Sequence, residues 1–224
     1  MTLIEAMHTR HSVRSYTNRD IEPEKQQALQ ALIDRCNSEG NMHIQLVTNN
    51  PEAFESRMAR YGKFRGVRNF LAIVGKRGSN LDERAGYYGE RLVLEAQRLG
   101  LNTCWVGLTY SKRKAAVTIE SDDKLVCLIV VGYGVNAGVP HKVKLQNEVS
   151  KVKNIDFVPV WFTNGVNAAL LAPTALNQQK FKFTLLDGNK VHASASLGYF
   201  TKVDLGIVKL HFELGVGDEK FEWV

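Results

Sequence analysis

A chain of 224 residues with 44% hydrophobic and 23% charged residues has enough apolar surface to bury a core, which excludes a disordered tail. Its formal net charge of +6 suits acidic small ligands and nucleic acid alike. No apolar run is long enough to span a bilayer, and Leu3–Met7, interrupted by Glu5, is too short for a secretory leader.

Taken in order, Leu3–Met7 reads as a short amphipathic segment. Pro23-Glu24 opens a helix, with Leu29, Leu32, Ile33 and Cys36 on one stripe. Asn37–Asn41 stops it, and Ile44–Val47 reads as a strand ended by Asn49-Asn50-Pro51. Glu52–Arg68 is basic with interleaved aromatics, and Gly62 and Gly66 suggest an irregular loop. Phe70–Val74 is a continuous apolar run, hence a strand covered on both faces.

Gly86–Gly100 reads as the central helix, with Tyr88, Leu92, Ala96 and Leu99 on the buried face and Glu90, Arg91, Gln97 and Arg98 largely elsewhere. Lys112–Val117 is a short helix or turn. Leu125–Val131 is a buried central strand that empties into Gly132-Tyr133-Gly134. Val158–Leu171 fits a buried helix ended by Pro173. Phe181, Phe183 and Leu185 alternate with polar residues as a half-wet strand, and Leu186–Asn189 is a hairpin turn. Asp204–Leu214 is a last helix, stopped by Gly215.

Three cysteines, Cys36, Cys104 and Cys127, lack C-x-x-C spacing, which points to buried free thiols in a reducing, cytoplasmic setting. The six histidines show no ligand spacing beside cysteine or carboxylate, so no metal is expected.

Two stretches carry chemistry. Arg10-His11-Ser12-Val13-Arg14-Ser15-Tyr16 sets two guanidinium groups around a hydroxyl, a compact anion clamp, although two solvated surface arginines give the same pattern. Far downstream, Ala172-Pro173-Thr174-Ala175-Leu176-Asn177-Gln178-Gln179 is a turn rich in amides. Together with Leu99–Gly107 and Val131–Gly134, these stretches resemble the FMN-dependent nitroreductase family. That family opens with an R-x-S-x-R clamp and carries an A-P-S-x-x-N-x-Q turn. The wide separation of clamp and turn here resembles a branch in which two family-like halves are fused.

The resemblance implies an α+β, nitroreductase-like αβα sandwich whose two divergent halves, 1–148 and 149–224, form an intramolecular pseudo-dimer. A repeat supports it: helix, Asn-bearing turn (Asn41, Asn177), strand, long helix, then Leu99-Gly100-Leu101 or Leu214-Gly215-Val216. By the same resemblance Arg10 meets the FMN phosphate, and His11, Ser12 and Arg14 meet the phosphate, ribityl chain or ring edge. Lys142 and Lys144 add charge. Pro173 and Thr174 hold Asn177 and Gln179 toward the ring, opposite the backbone of Val106 and Gly107.

The implied activity is hydride transfer from NADH or NADPH through flavin N5 to a nitroaromatic, quinone or other flat acceptor, in a monomer or a homodimer. No catalytic side chain is required, because the flavin carries the chemistry. Two alternatives stay open: a non-catalytic flavin-binding protein for storage or sensing, and a basic nucleic-acid-binding module built on Glu52–Arg68.

Overall fold

The computed structural model describes residues 1–153 and 157–224, except for the side chain of Met58. The fold is α+β. Helix α1 (Leu3–Thr9) begins with a capping box between Thr2 and Glu5. Helix α2 (Pro23–Gly40) follows, with Pro23 in its first turn and Asn41 left-handed just past its end. Strands β1 (Gln45–Val47), β2 (Phe70–Lys76), β3 (Asn102–Val106) and β4 (Asp123–Gly132) form one antiparallel sheet in the order β1-β2-β4-β3.

Central helix α4 (Leu81–Arg98) lies against this sheet. A short α3 (Arg57–Tyr61) helps to cover its other face. The second sheet contains β5 (Ser150–Val152), β6 (Phe181–Leu186), β7 (Lys190–Ala195) and β8 (Glu222–Trp223), in that order. Helices α5 (Gln146–Val149), α6 (Val160–Leu170) and α7 (Thr201–Val216) complete the fold.

Several boundaries differ from the sequence reading, each for a physical reason. Helix α4 begins at Leu81, ahead of Gly86, with Asp82 and Glu83 in its first turn where the helix dipole favours acids. Helix α6 begins only after Pro159, which occupies the N-cap. Gly215 does not stop α7. A Cβ there would lie 2.4 Å from the Ala168 Cβ, so this glycine serves the packing of α7 on α6. The left-handed Gly217, with φ 71°, ends the helix instead.

Glu52–Arg68 is not an irregular loop throughout. It contains a 3-10 turn at Pro51–Phe54 and then α3. Phe54 and Phe64 are buried and meet edge to face at 5.5 Å, which turns two of the stretch's aromatics inward, away from any stacking role on the surface. All three cysteines are free and buried, and burial raises each thiol pKa. Among the described residues no helix is long and apolar enough to cross a membrane.

One contact ties the two sheets together. Helices α4 and α7 touch through paired glycines. A Cβ on Gly86 would lie 1.9 Å from the Val203 carbonyl oxygen, and a Cβ on Gly206 would lie 1.9 Å from the Glu83 carbonyl oxygen. The relationship is reciprocal, each glycine facing the carbonyl three residues before the other. Backbone approach this close excludes every side chain larger than hydrogen. Asn41 and Asn177 are both left-handed, with φ of 47° and 52°.

Candidate functional site

The clamp follows α1 as an extended segment. Val13 N–H donates to the Thr103 carbonyl at 3.0 Å, so the segment runs beside β3, while further along Tyr16 N–H donates to the Arg65 carbonyl and Arg65 N–H to the Arg14 carbonyl, both at 2.9 Å. This extended run alternates its side chains. Arg14 is exposed, while His11 and Ser12 are half-buried.

Arg10 is different, being only 3% exposed. Its Nε lies 4.0 Å from Glu90 Oε1 and has no hydrogen-bond partner among the described residues. Burial pulls its pKa down, and Glu90 opposes that shift.

Glu90 is the hub. The sequence reading put it largely off the buried face of α4, yet it is fully buried. The Trp105 indole N–H donates to Glu90 Oε2 at 2.9 Å, and His211 Nε2 of α7 lies 2.9 Å from Oε1. The other His211 nitrogen lies 3.2 Å from the Ala168 carbonyl oxygen of α6. Gly89 leaves room for the Trp105 ring, since a Cβ there would sit 2.4 Å from it. The sequence signal missed was a second covered side: α4 packs on α1 and α7 as well as on the sheet, and Glu90 lies in line with buried Gly86, Val93 and Leu94.

The A-P-T-A-L-N-Q-Q turn is held from two directions. Leu176, Asn177 and Gln179 all have left-handed φ, of 54°, 52° and 44°. Thr174 Oγ1 accepts from Gln179 N–H at 3.1 Å. Asp204 of α7 accepts from Ala175 N–H at 2.9 Å and from the Gln178 amide at 3.0 Å. Burial raises the Asp204 pKa from 3.8 to about 6, and those two hydrogen bonds oppose the rise.

One loop, Val135–Lys144, touches both the clamp and the turn. Val135 N–H donates to the Ser15 carbonyl at 2.9 Å, and Gly138 leaves so little space that a Cβ would sit 2.8 Å from the His11 Cβ. At its far end the Asn177 and Gln179 amides both donate to the Lys142 carbonyl at 2.8 Å. Lys144 donates from its backbone to Gln179 Oε1 at 2.9 Å and from Nζ to the Gln179 carbonyl at 3.0 Å. His141 lies between, with Nε2 3.0 Å from the Leu170 carbonyl oxygen. Its pKa is lowered by burial first, with Arg10, His11 and His211 adding to the effect, so these basic groups share one neighbourhood.

Val106 ends β3, and a Cβ on Gly107 would sit 2.4 Å from the Phe200 ring, so Gly107 adjoins the start of α7. Pro173 lies just beyond α6, Lys142 is exposed, and Lys144 is engaged by Gln179. Glu90, His141, Phe200, Asp204 and His211 were not among the candidates read from sequence.

A family model described as "Putative TM nitroreductase" matches residues 2–216. The chain belongs to this nitroreductase family. No curated protein matches it. Among solved structures, it is similar to a putative nitroreductase from Thermotoga maritima at 22% identity and a TM-score of 0.67, over 96% of this chain and 83% of that one. It is also similar to a putative nitroreductase in complex with FMN from Desulfovibrio desulfuricans, at 15% identity and a TM-score of 0.54, over 71% of this chain and 99% of that one. These two likenesses establish the fold.

Proposed function

We propose that the chain is an FMN-dependent oxidoreductase, in which the clamp of residues 10–14 and the turn of residues 173–179 hold one flavin. The observation that carries this reading is the loop Val135–Lys144, which packs on His11 and Ser15 at one end and is held by Asn177 and Gln179 at the other. The residues present fit the coenzyme. Half-buried His11 and Ser12 and exposed Arg14 form a donor set suited to a phosphate, and behind them in sequence stands buried Arg10, whose Nε has no hydrogen-bond partner among the described residues. Lys142 adds exposed positive charge, whereas Lys144 is used to fix Gln179.

In this reading Arg14, Ser12 and His11 contact the phosphate and ribityl chain, and Arg10 supports them from behind under the control of Glu90. Gln179 shapes the turn, with both of its amide hydrogens donated to the Lys142 carbonyl and Asn177 Oδ1, and exposed Asn177 keeps a second N–H to turn toward the ring edge. The backbone of Val106 and Gly107 bounds the site across from it. The chemistry FMN supplies when bound is two-electron transfer, accepting hydride from NADH or NADPH and passing it to a nitroaromatic, quinone or similar flat acceptor.

The reciprocal glycine contact of α4 with α7 supports a pairing of like helices across the two proposed halves, 1–148 and 149–224, although it sets Gly86 opposite Gly206 and so differs in register from the Gly100 and Gly215 pairing of the sequence repeat.

Purified protein loaded with FMN tests the activity. Anaerobic NADH or NADPH bleaches the visible flavin band if the chain is an oxidoreductase. A band that persists, with FMN still bound, supports instead a flavin-binding protein without turnover. The packing of Phe200 on Gly107 favours that second reading, since it fills space beside the backbone that would face the ring.

A further inference from the structure

The first sheet carries a second polar cluster, at the opposite end of its longest strand from the clamp. The clamp adjoins Thr103, which pairs with Val131 near the end of β4, whereas Asp123 opens that strand. Eight residues of extended strand separate them, roughly 26 Å at 3.3 Å per residue.

We propose that His43, Glu120 and Asp123 bind a divalent transition-metal ion. One donor atom from each lies within 4.8 Å of the other two. Asp123 is 1% exposed, and its Oδ2 lies 2.5 Å from His43 Nδ1. Its other oxygen, Oδ1, is buried and has no hydrogen-bond partner among the described residues. A carboxylate oxygen removed from water without a partner is destabilising, so this atom calls for a ligand.

Local backbone holds the three together. His43 N–H donates to the Val74 carbonyl at 2.8 Å, and Met42 bridges to Gly75, which anchors the histidine against β2. Asp123 N–H donates to the Glu120 carbonyl at 3.1 Å, which folds Glu120 back over the start of β4.

Charge selects the ion. The cluster gathers two carboxyl groups around one imidazole, a donor set that draws a cation. The nearby ammonium groups are directed elsewhere, Lys76 to Asp122 at 3.7 Å and Lys124 to Asp82 at 3.1 Å. Among the described residues no lysine or arginine forms an ion pair with Glu120 or Asp123.

An imidazole beside two carboxylates suits Zn²⁺, Mn²⁺ or Co²⁺ better than the oxygen-seeking Ca²⁺ or Mg²⁺. Donors bound to one ion at about 2.0–2.2 Å stand roughly 3–3.5 Å apart, so Glu120 has to move in and the 2.5 Å contact between His43 and Asp123 has to open around the ion. Glu120 is exposed and free to make that move. Three protein donors leave a position for water, and the partial exposure of His43 lets the ion exchange with solvent. Such an ion would tie the entry of β1 to the entry of β4. Sequence spacing hides the cluster because His43 and Asp123 are 80 residues apart.

The test uses the full chain stripped of metal with a chelator and titrated calorimetrically with Zn²⁺ and, separately, Mn²⁺. Uptake of one ion per chain is expected, with affinity falling tenfold or more in both His43→Gln and Glu120→Gln. Exposed Glu120 can change without disturbing the fold, so metal-free Glu120→Gln should melt like wild type. No uptake of either ion, meaning water alone satisfies Asp123, would overturn the proposal. So would uptake that neither substitution weakens, since the ion would then bind elsewhere.

Discussion

Glu90 of α4 and His211 of α7 meet 2.9 Å apart, both fully buried. The pair joins the clamp, through Arg10, to α6, through the Ala168 carbonyl. Removing one member of a buried charged network strands the others. Glu90→Gln is therefore expected to destabilise the fold by about 3 kcal/mol or more, because Arg10 loses its only ion-pair partner among the described residues. Chemical denaturation checks this. A midpoint shift worth under about 0.5 kcal/mol, the range of ordinary surface substitutions, would show that the network carries little.

The α4–α7 contact gives a prediction in which two effects oppose. Alanine is favoured over glycine inside a helix by about 1 kcal/mol. At Gly86 or Gly206, however, the new methyl group would lie 1.9 Å from a carbonyl oxygen. Backbone has to move, and overpacking of this kind is destabilising by about 1–3 kcal/mol or more. Gly86→Ala and Gly206→Ala should each lower the melting temperature. A rise in either would mean that the helices stand further apart than described.

Asp204 makes stability depend on pH. Its folded pKa of about 6 lies above the ordinary 3.8, so the folded state holds this proton more tightly than the unfolded state. The contribution is present below pH 3.8 and is lost as pH rises through about 6, amounting to about 3 kcal/mol as an order of magnitude. Denaturation at a series of pH values should show the difference between wild type and Asp204→Asn changing across that window. A constant difference would mean that Asp204 titrates normally.

Much of the fold is legible in the sequence because its elements are strongly patterned. The stripe Leu29, Leu32, Ile33 and Cys36 is the buried face of α2, and Asp187-Gly188-Asn189 is the loop between β6 and β7. Misread positions are those where tertiary contacts overrule local pattern. Gly215 resembles a helix stop by spacing, but it is a packing residue set against Ala168. Glu90 looks solvent-facing by residue type, but it stands in line with buried Gly86, Val93 and Leu94, away from the half-buried or exposed Arg84, Arg91 and Arg98. At the candidate site, the clamp and the turn are visible as residue types. What ties them together is not visible: the Lys142 carbonyl is a backbone atom, and its pairing with Asn177 and Gln179 depends on the path of a loop.

That loop suggests how the turn should respond to substitution. Gln179→Ala removes the acceptor for Lys144 N–H and one donor to the Lys142 carbonyl, in a residue only 3% exposed. A loss of about 1–3 kcal/mol is expected from the groups left unpaired. Faster amide hydrogen exchange at Lys144 should accompany it, and unchanged exchange there would dissociate the loop from the turn.

The most direct test of a phosphate-reading clamp compares FMN with riboflavin, which lacks the phosphate. Titration of the flavin-free chain should show FMN binding at least tenfold more tightly, as expected when charge-assisted contacts contribute about 1.5–3 kcal/mol. Arg14→Ala should reduce that preference. Equal affinity for the two flavins, or no binding of either, would contradict the account.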